Sequence, residues 1–373
     1  FRDARSYLGD DTYTTQIKLK KELDPRARIL CIGPAGERLG RLAIILSDTS
    51  FASGRSGFGA VMGSKNLKAI AVRGTKPIRV FNPAGLIETS KKVRHLAGNN
   101  PMKHWTTRLI NSEQVDTYVN QYRKKNTGCF GCPTQCFAYM DVPGAGQSAV
   151  HCSNYYYYFK ATEYYGESLE RDQAVTDGYI LANRLGLDTY EHRRMISFLE
   201  DLHKAGLLKA ETGLALDKIG SREFIQQLLE CVALRKGIGE LFADGCARAA
   251  DKIENSREIC SRYFPAHGSA IHGTEPLEEY PEIALMWALD SRDPFIDHDL
   301  RSFVFVVSNK EEITILQLVF FGGNRERHLE LVLEILDQDQ RVFSRLDSAF
   351  DHVVDWQNTV VHREYSFVIR DSR

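Results

Sequence analysis

The stretch IGPAGERLGRLAIILSDTSFASGRSGFGAVMGSKNLKAIAVRG at residues 32–74 contains the strongest structural signals in this chain. Arg28–Gly33, which overlaps its start, is a short apolar run typical of a β-strand, and a Pro-Ala-Gly turn follows at 34–36. Near its end, Leu67–Val72 predicts a second buried strand. Between these strands, Gly54–Gly59 is rich in glycine, so the backbone N–H groups of this loop can approach a phosphate closely. A glycine-rich loop alone fits a surface turn better than a binding site, so the stretch by itself predicts a β-rich unit with a flexible loop.

The pattern changes from strands to helices after about residue 80. Asn82-Pro83 resembles a helix start, with Asn as the cap and Pro in the first turn. Apolar residues at helical spacing predict helices at 170–186, 190–206, 221–235, 238–254, 311–320 and 328–350. We therefore predict an α+β fold with three domains. Residues 1–80 would form the C-terminal part of a β-rich domain that is incomplete at its N-terminus, and residues 81–190 and 191–373 would form two mainly α-helical domains.

Composition and charge argue against several classes of protein. The chain has 373 residues and a formal net charge of -1, so neither nucleic acid nor an anionic membrane surface is an expected partner. No apolar run approaches the roughly 18–20 residues that a membrane span needs. The 8 cysteines are too few and too scattered for a secreted disulfide framework, which favours a cytoplasmic protein. The chain starts at Phe1 and stops at Arg373 after an apolar stretch, so we expect a fragment of a longer protein.

A cysteine motif with the spacing C-x2-C-x3-C is the sharpest local signal for a metal centre. It consists of Cys129, Cys132 and Cys136. Three thiolates on one short loop can converge on an iron–sulfur cluster or on a structural zinc ion, and either centre takes four ligands. Spacing alone leaves three interpretations open: a cluster, a zinc site completed by His151 or Cys152, and unligated thiols.

The 32–74 stretch resembles the pterin-domain signature of the aldehyde:ferredoxin oxidoreductase family. The resemblance continues in the cysteine motif, in ANRLGLDT at 182–189, in LDSRDPFIDHDL at 289–300 and in IRDSR at 369–373. It implies a tungsten ion, or molybdenum in occasional relatives, held by the dithiolenes of two pterins. It also implies a [4Fe–4S] cluster beside one pterin, with magnesium as an optional further ion. Electrons would be exchanged with ferredoxin or with an iron–sulfur partner subunit, in an oligomer or a larger complex.

The resemblance assigns cofactor contacts to two segments. The glycine-rich loop contributes Arg55, Gly57, Gly59 and Ala60. The first of two motifs of the form Asp-x-x-Gly-Leu-(Asp/Cys) contributes Asn183, Gly186, Leu187 and Asp188. Arg55 can pair bidentately with a phosphate. Asn183 stands where the family has Asp, so hydrogen bonding to a pterin survives while the charge is lost. Residues 183–188 also fit a simple helix C-cap, and this role is compatible with contact to a pterin.

The second motif of this form begins at Asp371, which we expect to contact the other pterin. In the family, a cysteine that follows this motif by a few residues supplies the fourth cluster ligand. This sequence stops at Arg373, so the three cysteines of the motif lack that partner within it. We expect the fourth ligand to lie just beyond Arg373.

The resemblance also indicates four candidate acid–base residues. A family Glu after the cysteine motif corresponds to Glu163 or Glu167 in the stretch EYYGE, and a family His before the last motif corresponds to His298. Glu275 in the stretch HGTEP is a further candidate for the substrate pocket. A buried carboxyl group with a raised pKa can shuttle a proton at neutral pH, and a His can donate to a developing oxyanion.

Three functional interpretations follow. The first is a tungsten–pterin enzyme that interconverts a small aldehyde and a carboxylic acid. The second is the tungsten subunit of a class II benzoyl-CoA reductase, an enzyme that acts on an aromatic acyl-CoA. It is suggested by the stretches DSRDPFIDHD and IRDSR, which depart from the aldehyde-oxidising pattern and are similar to that subunit. The third interpretation is a non-catalytic iron–sulfur electron-transfer subunit that has lost tungsten.

Overall fold

A computed structural model describes residues 1–54, 57–76, 79–99, 113–128, 137–150, 157–208 and 212–264. The N-terminal part forms a four-stranded sheet in which all neighbouring strands are antiparallel and the order is β3-β2-β1-β4. Its strands are β1 (Arg28–Ile32), β2 (Ile45–Ser47), β3 (Phe51–Ser53) and β4 (Ala69–Val72). The two predicted strands are confirmed as β1 and β4, which pair directly with Leu30 opposite Ile70, but the predicted burial of the second is wrong, because Ile70, Ala71 and Val72 are exposed at the sheet edge.

Helix α1 (Thr12–Glu22) covers one face of this sheet. The helix begins after Asp11, whose carboxylate accepts a hydrogen bond from the Thr14 backbone N–H and so caps an otherwise unpaired donor. Ile29 and Cys31 alternate with exposed neighbours along β1 and are buried on the face toward the helix. Burial raises the pKa of the Cys31 thiol to about 12, so this cysteine is an inert part of the packing.

The middle of the chain contains a second antiparallel sheet with the order β5-β6-β7. The elements of this part are α4 (Pro83–Asn99), α5 (Glu113–Tyr122), β5 (Arg123–Thr127), β6 (Phe137–Val142) and β7 (Gly146–Val150). This sheet lies inside a region for which only helices were expected. Its first strand reads Arg-Lys-Lys-Asn-Thr, which has few residues of high β-propensity, so its pairing with β6 decides its conformation.

The C-terminal part of the described chain is helical. Its helices are α6 (Tyr158–Tyr165), α7 (Leu169–Leu185), α8 (His192–Lys204), α9 (Arg222–Leu234), α10 (Gly239–Phe242), α11 (Cys246–Ala250) and α12 (Arg257–Ser261). The helices predicted at 170–186, 190–206 and 221–235 are confirmed. Helix α7 has the expected C-cap, since Gly186 ends it in the left-handed conformation, and Ser168 caps its start by accepting from the Arg171 backbone N–H.

The single helix predicted at 238–254 is wrong. The segment is divided into α10 and α11 at Gly245, whose φ of 96° cannot belong to a right-handed helix. The second of these helices starts where the Glu191 carboxylate accepts a hydrogen bond from the Cys246 backbone N–H at 2.8 Å. A residue distant in sequence therefore sets this helix start, and local periodicity could not reveal it.

The larger hydrophobic core contains residues between Ala35 and Phe264 from the second sheet and from the helices, and Ala27, Ile29 and Cys31 form a separate small cluster at the first sheet. The domain boundaries at 80 and 190 stay a prediction. The helices predicted at 311–320 and 328–350 lie outside the described residues. Among the helices that the structure describes, none is long and apolar enough to cross a membrane.

Candidate functional site

The glycine-rich loop packs its backbone directly against a neighbouring segment of backbone. It leads into α3 (Phe58–Ser64), where the Gly59 N–H donates to the Ala43 carbonyl oxygen at 3.0 Å. A Cβ atom on Gly59 would lie 2.5 Å from the Ile44 carbonyl oxygen, and one on Gly57 would lie 2.8 Å from the Arg41 carbonyl oxygen. Gly57 also has a φ of 67°, a conformation that favours glycine. Glycine is therefore required at both positions by packing.

The turn at 183–188 contacts the same segment of backbone from α7. The Ile44 N–H donates to the Gly186 carbonyl oxygen at 2.9 Å, and the Asp188 N–H donates to the Leu42 carbonyl oxygen at 2.8 Å. Ala43 and Leu187 form an antiparallel bridge between these two hydrogen bonds. The loop and the turn, predicted separately to bind cofactor, are thus joined through residues 42–44.

Further glycines continue this close packing. A Cβ on Gly33 would lie 2.4 Å from the Leu185 carbonyl oxygen, and one on Gly63 would lie 2.0 Å from the Gly36 carbonyl oxygen, in α2 (Pro34–Glu37). We call the glycines of this contact region the glycine junction: Gly33, Gly36, Gly57, Gly59, Gly63 and Gly186.

Asp188 connects the turn with the start of the glycine-rich loop. One of its carboxylate oxygens accepts from the Tyr190 N–H at 2.8 Å. Its other oxygen lies 3.3 Å from the position of a Cβ on Gly54. The half-buried carboxylate therefore lies against the loop, where it can accept hydrogen bonds from amine or amide donors of a bound molecule.

Asn183 is buried, and its amide is used inside the protein. The side-chain Nδ2 donates to the Thr49 carbonyl oxygen at 3.1 Å, and its backbone oxygen accepts from the Thr12 hydroxyl at 2.8 Å. An Asp side chain at this position could not donate to the Thr49 carbonyl. The departure from the family pattern therefore has a structural reason in this chain, namely the attachment of α7 to the N-terminal sheet region.

In the sequence, the cysteine motif falls between two strands that pair with each other, and we call these strands and the segment between them the cysteine hairpin. Strands β5 and β6 are antiparallel, and their last register pair before the loop is Thr127 with Phe137. The three cysteines lie between these two residues but outside the described part of the chain. The Phe137 ring stacks on the Phe51 ring with a centroid separation of 5.5 Å, and Phe51 belongs to β3, which leads into the glycine-rich loop. The base of the cysteine hairpin is thus packed beside the strand that leads to this loop.

The two carboxylates predicted from EYYGE lie at the surface. The side chain of Glu163 is 62% exposed and pairs with Lys160 at 2.6 Å. The side chain of Glu167 is 63% exposed and pairs with Arg171 at 2.6 Å. Both carboxylates are therefore engaged in ion pairs at the surface and are not buried. Their catalytic roles stay a prediction. Like the cysteines, four other predicted positions lie outside the described residues: Arg55, Glu275, His298 and Asp371.

A buried tyrosine–histidine pair close to Asp188 was not predicted. The Tyr157 hydroxyl and His192 Nδ1 are 2.8 Å apart, and both side chains are fully buried. Burial lowers the pKa of His192 to about 4, so the imidazole is neutral at physiological pH. Burial and then the charge of Asp188 raise the pKa of Tyr157 well above its ordinary value. The run of four tyrosines at 155–158 was the available signal in the sequence, but sequence alone did not connect it with His192.

A buried ion pair joins the helices around the cysteine hairpin. The Arg171 guanidinium donates to Asp172 at 2.8 Å and lies over the Tyr158 ring, 4.6 Å from its centroid. The Tyr122 hydroxyl donates to the other Asp172 oxygen at 2.8 Å. This network links α5, α6 and α7. Within the ranges that the structure describes, no group of three or more His, Cys, Asp or Glu side chains could hold a metal ion.

Comparisons with known proteins cover most of the chain. Residues 1–74 match the family "Aldehyde ferredoxin oxidoreductase, N-terminal domain", and residues 60–312 match "Aldehyde ferredoxin oxidoreductase, domains 2 & 3". A tungsten-containing aldehyde ferredoxin oxidoreductase of Pyrococcus horikoshii is 28% identical over 313 residues, covering 73% of this chain and 51% of the relative. The aliphatic sulfonate oxidoreductase, WOR-like subunit, of Pyrococcus furiosus is 27% identical, covering 72% of this chain and 50% of that protein.

A solved structure is similar as well. It is the active site complex BamBC of benzoyl coenzyme A reductase in complex with 1,5-dienoyl-CoA. The superposition has a TM-score of 0.59 at 25% identity and covers 69% of this chain and 45% of that one. The chain spans about half the length of the curated relatives that it matches.

Proposed function

The chain belongs to the aldehyde ferredoxin oxidoreductase family, and from this premise we propose that it is the cofactor-binding part of a tungsten–pterin oxidoreductase. One observation supports the proposal most directly. The glycine-rich loop and the 183–188 turn are hydrogen-bonded to the same residues, 42–44, and the base of the cysteine hairpin stacks on β3 beside them. The glycine-rich loop, the 183–188 turn and the base of the cysteine hairpin are therefore neighbours in the fold, although they are distant in sequence.

The residues of the two segments fit a pterin. The Gly59 and Ala60 N–H groups already donate to the Ala43 and Gly57 carbonyl oxygens, so Gly57, Gly59 and Ala60 would shape the loop beside the pterin, and Arg55 would pair with a phosphate. In the turn, the Asp188 carboxylate lies against the loop and can accept from pterin amine groups. Gly186 and Leu187 would keep the turn in position through the bridge to Ala43. Asp371 is proposed to contact the second pterin.

The cysteine motif would hold an iron–sulfur cluster next to this site. Cys129, Cys132 and Cys136 would supply three thiolates from the hairpin loop. The stacked rings of Phe51 and Phe137 fix the start of β6 against β3, which supports a cluster position close to the glycine-rich loop. Electrons would leave or enter through the cluster by way of a ferredoxin or an iron–sulfur partner subunit, with the enzyme working as an oligomer or complex.

The proposed substrate is an aldehyde, which together with water gives a carboxylic acid, two protons and two electrons. A bound tungsten bis-pterin, or its molybdenum counterpart, would supply the two-electron redox chemistry. His298 would donate from an imidazole N–H to the carbonyl oxygen as negative charge develops. Glu275 would line the substrate pocket. Glu163 or Glu167 would accept a proton, and their surface ion pairs would have to open for this role. Magnesium remains an optional ion of the site.

A second candidate is the reduction of an aromatic ring carried on coenzyme A. The similarity to the BamBC complex favours it, together with the stretches that depart from the aldehyde-oxidising pattern. The same cofactor segments would serve, and two electrons and two protons would be added to the ring. The acyl-CoA would then replace the aldehyde as substrate.

Elemental and cofactor analysis of the full-length native protein tests the proposed function. We expect tungsten or molybdenum, pterin, iron and acid-labile sulfide. Cys132→Ser should lose most of its iron and keep pterin, because the pterin contacts come from other segments. The matched variant Cys231→Ser, at a half-buried position in α9, should keep its iron. A native protein without pterin and iron would refute the proposal, and iron without pterin would identify an electron-transfer subunit.

Substrate assays separate the two candidate reactions. Aldehyde-dependent reduction of a viologen dye supports the first. Formation of a dearomatised product from benzoyl-CoA and reduced dye, without any acid reduction, would overturn the aldehyde proposal and support the second.

A further inference from the structure

The strand that leads into the cysteine loop has a basic, exposed edge. Strand β5 lies at the edge of its sheet and contains Arg123, Lys124 and Lys125, which we call the basic edge. Both lysines are exposed. Since a strand advances about 3.3 Å per residue, Lys125 lies within roughly 13 Å of Cys129 along the chain. The basic edge is therefore next to the position proposed for the iron–sulfur cluster.

The contacts that the structure describes for Arg123 and Lys125 are to uncharged groups. Arg123 donates to Asn126 Oδ1 at 3.1 Å, and the Lys125 ammonium lies over the Tyr139 ring, 5.3 Å from its centroid. Within the described chain, neither lysine forms an ion pair. The acidic residue of the paired strand is Asp141, which follows Met140, the register partner of Arg123, at the end of β6 away from the cysteine loop, and accepts a hydrogen bond from Gln147. The chain as a whole has a net charge of -1, so this concentration of positive charge is local.

We propose that the basic edge is the docking surface for an acidic iron–sulfur electron carrier. The inference rests on the proposed function, because it requires a cluster in the hairpin loop. A carrier must approach that loop closely to exchange an electron, and complementary charge raises the rate of encounter. Surface charges act over a Debye length of about 8–10 Å at physiological salt, which is comparable to the distance between the lysines and the loop.

A competing role for these lysines is protection of the sheet edge. Charged residues on an edge strand discourage pairing with the edges of other chains. That role needs no particular electron carrier, and it predicts no dependence of electron transfer on salt. The two roles therefore differ in what a charge reversal does to the rate with an acidic carrier.

The test is a charge reversal in the full-length holoenzyme. Lys124→Glu/Lys125→Glu is mixed with a reduced acidic ferredoxin, and reduction of the enzyme's iron–sulfur cluster is followed by stopped-flow absorbance. We expect the second-order rate constant to fall about tenfold or more at low salt, and the difference from wild type to shrink as salt rises. Reduction by a net-neutral sulfonated viologen should stay within about twofold of wild type, since such a dye is not steered by charge.

Two further double variants serve as controls for the charge reversal at Lys124 and Lys125. Lys91→Glu/Lys92→Glu makes the same change of charge at two exposed lysines on α4 and should leave the ferredoxin rate within about twofold. Lys124→Gln/Lys125→Gln should give an intermediate loss.

Equal losses in the two glutamate variants, or no loss in either, would overturn the docking proposal while leaving the proposed function intact. A wild-type protein without iron would overturn both.

Discussion

The glycine junction and the helical core are packed by different means. In the junction, backbone lies on backbone, and a Cβ on Gly33, Gly59 or Gly63 would come within 2.5 Å of a carbonyl oxygen. In the helical core, large side chains fill the space, and Phe198 of α8 and Phe224 of α9 are fully buried. The Phe198 and Phe242 rings lie 6.0 Å apart, an ordinary distance for an aromatic pair.

This difference decides how much freedom the sequence has in each region. A core accepts many apolar side chains of similar volume, because neighbouring rotamers adjust. A junction between two backbones has no such freedom, because the atoms that would clash are carbonyl groups held by their own hydrogen bonds. We therefore expect a single added methyl group to cost more in the junction than a single removed methyl group costs in the core.

Gly59→Ala gives the largest expected effect. The new Cβ would lie 2.5 Å from the Ile44 carbonyl oxygen, and relieving this clash would disturb the hydrogen bond from Gly59 to Ala43. We expect a loss of about 4 kcal/mol or more in the free energy of unfolding, measured by denaturant titration. Ile196→Val, which removes one methyl group from the core, should cost only about 1 kcal/mol.

Gly74→Ala is the control for the glycine substitution. Gly74 is exposed, and a Cβ there would meet no atom within 4 Å, so its unfolding free energy should change by less than about 0.5 kcal/mol. If Gly59→Ala and Gly74→Ala were equally tolerated, the contrast between junction and core would be wrong.

Parts of the fold were predictable because their signals are local. Strands β1 and β4 follow apolar runs, and α7 has a Ser cap before it and a glycine after it. The division between α10 and α11 was not predictable, since it depends on a carboxylate 55 residues away. Strand β5 was missed because its sequence is basic and gains its conformation from pairing with β6.

The candidate site was predictable to a similar extent. Sequence resemblance identified the loop and the turn, and the structure joins them through residues 42–44. The burial of a given carboxyl group is a property of the packed chain, so the exposure of Glu163 could not be foreseen. The contact between Tyr157 and His192 could not be foreseen either, because 35 residues separate them.

His192 makes the stability of the core depend on pH. Its pKa is lowered by burial to about 4, below the value of about 6.5 expected in the unfolded chain. As pH falls, His192 is therefore protonated at a higher pH in the unfolded state than in the folded state. The stability from the neutral imidazole is fully present above pH 6.5 and is lost progressively down to about pH 4. The total loss should be about 3 kcal/mol, since one unit of pKa corresponds to about 1.4 kcal/mol.

Unfolding free energies measured across this pH range test the assignment. His192→Gln should show a shallower dependence on pH than wild type, because the titrating group is gone. His203→Gln, at an exposed position of the same helix, should keep the wild-type slope. An unchanged slope in His192→Gln would show that the acid sensitivity comes from other groups.

Asn183→Asp gives the smallest of the three expected effects and tests the junction at a side chain. The Asn183 amide donates to the Thr49 carbonyl oxygen at 3.1 Å, and the residue is buried. Asp would bring a carboxylate oxygen against that carbonyl, so a hydrogen bond would become a repulsion. We expect a loss of about 2 kcal/mol in the free energy of unfolding, the usual cost of leaving a buried polar group unpaired.

Asn120→Asp, at an exposed position of α5, should change stability by less than about 0.5 kcal/mol. Because Asp is the family's usual residue at position 183, an Asp variant as stable as wild type would mean that the Thr49 contact does not explain the asparagine.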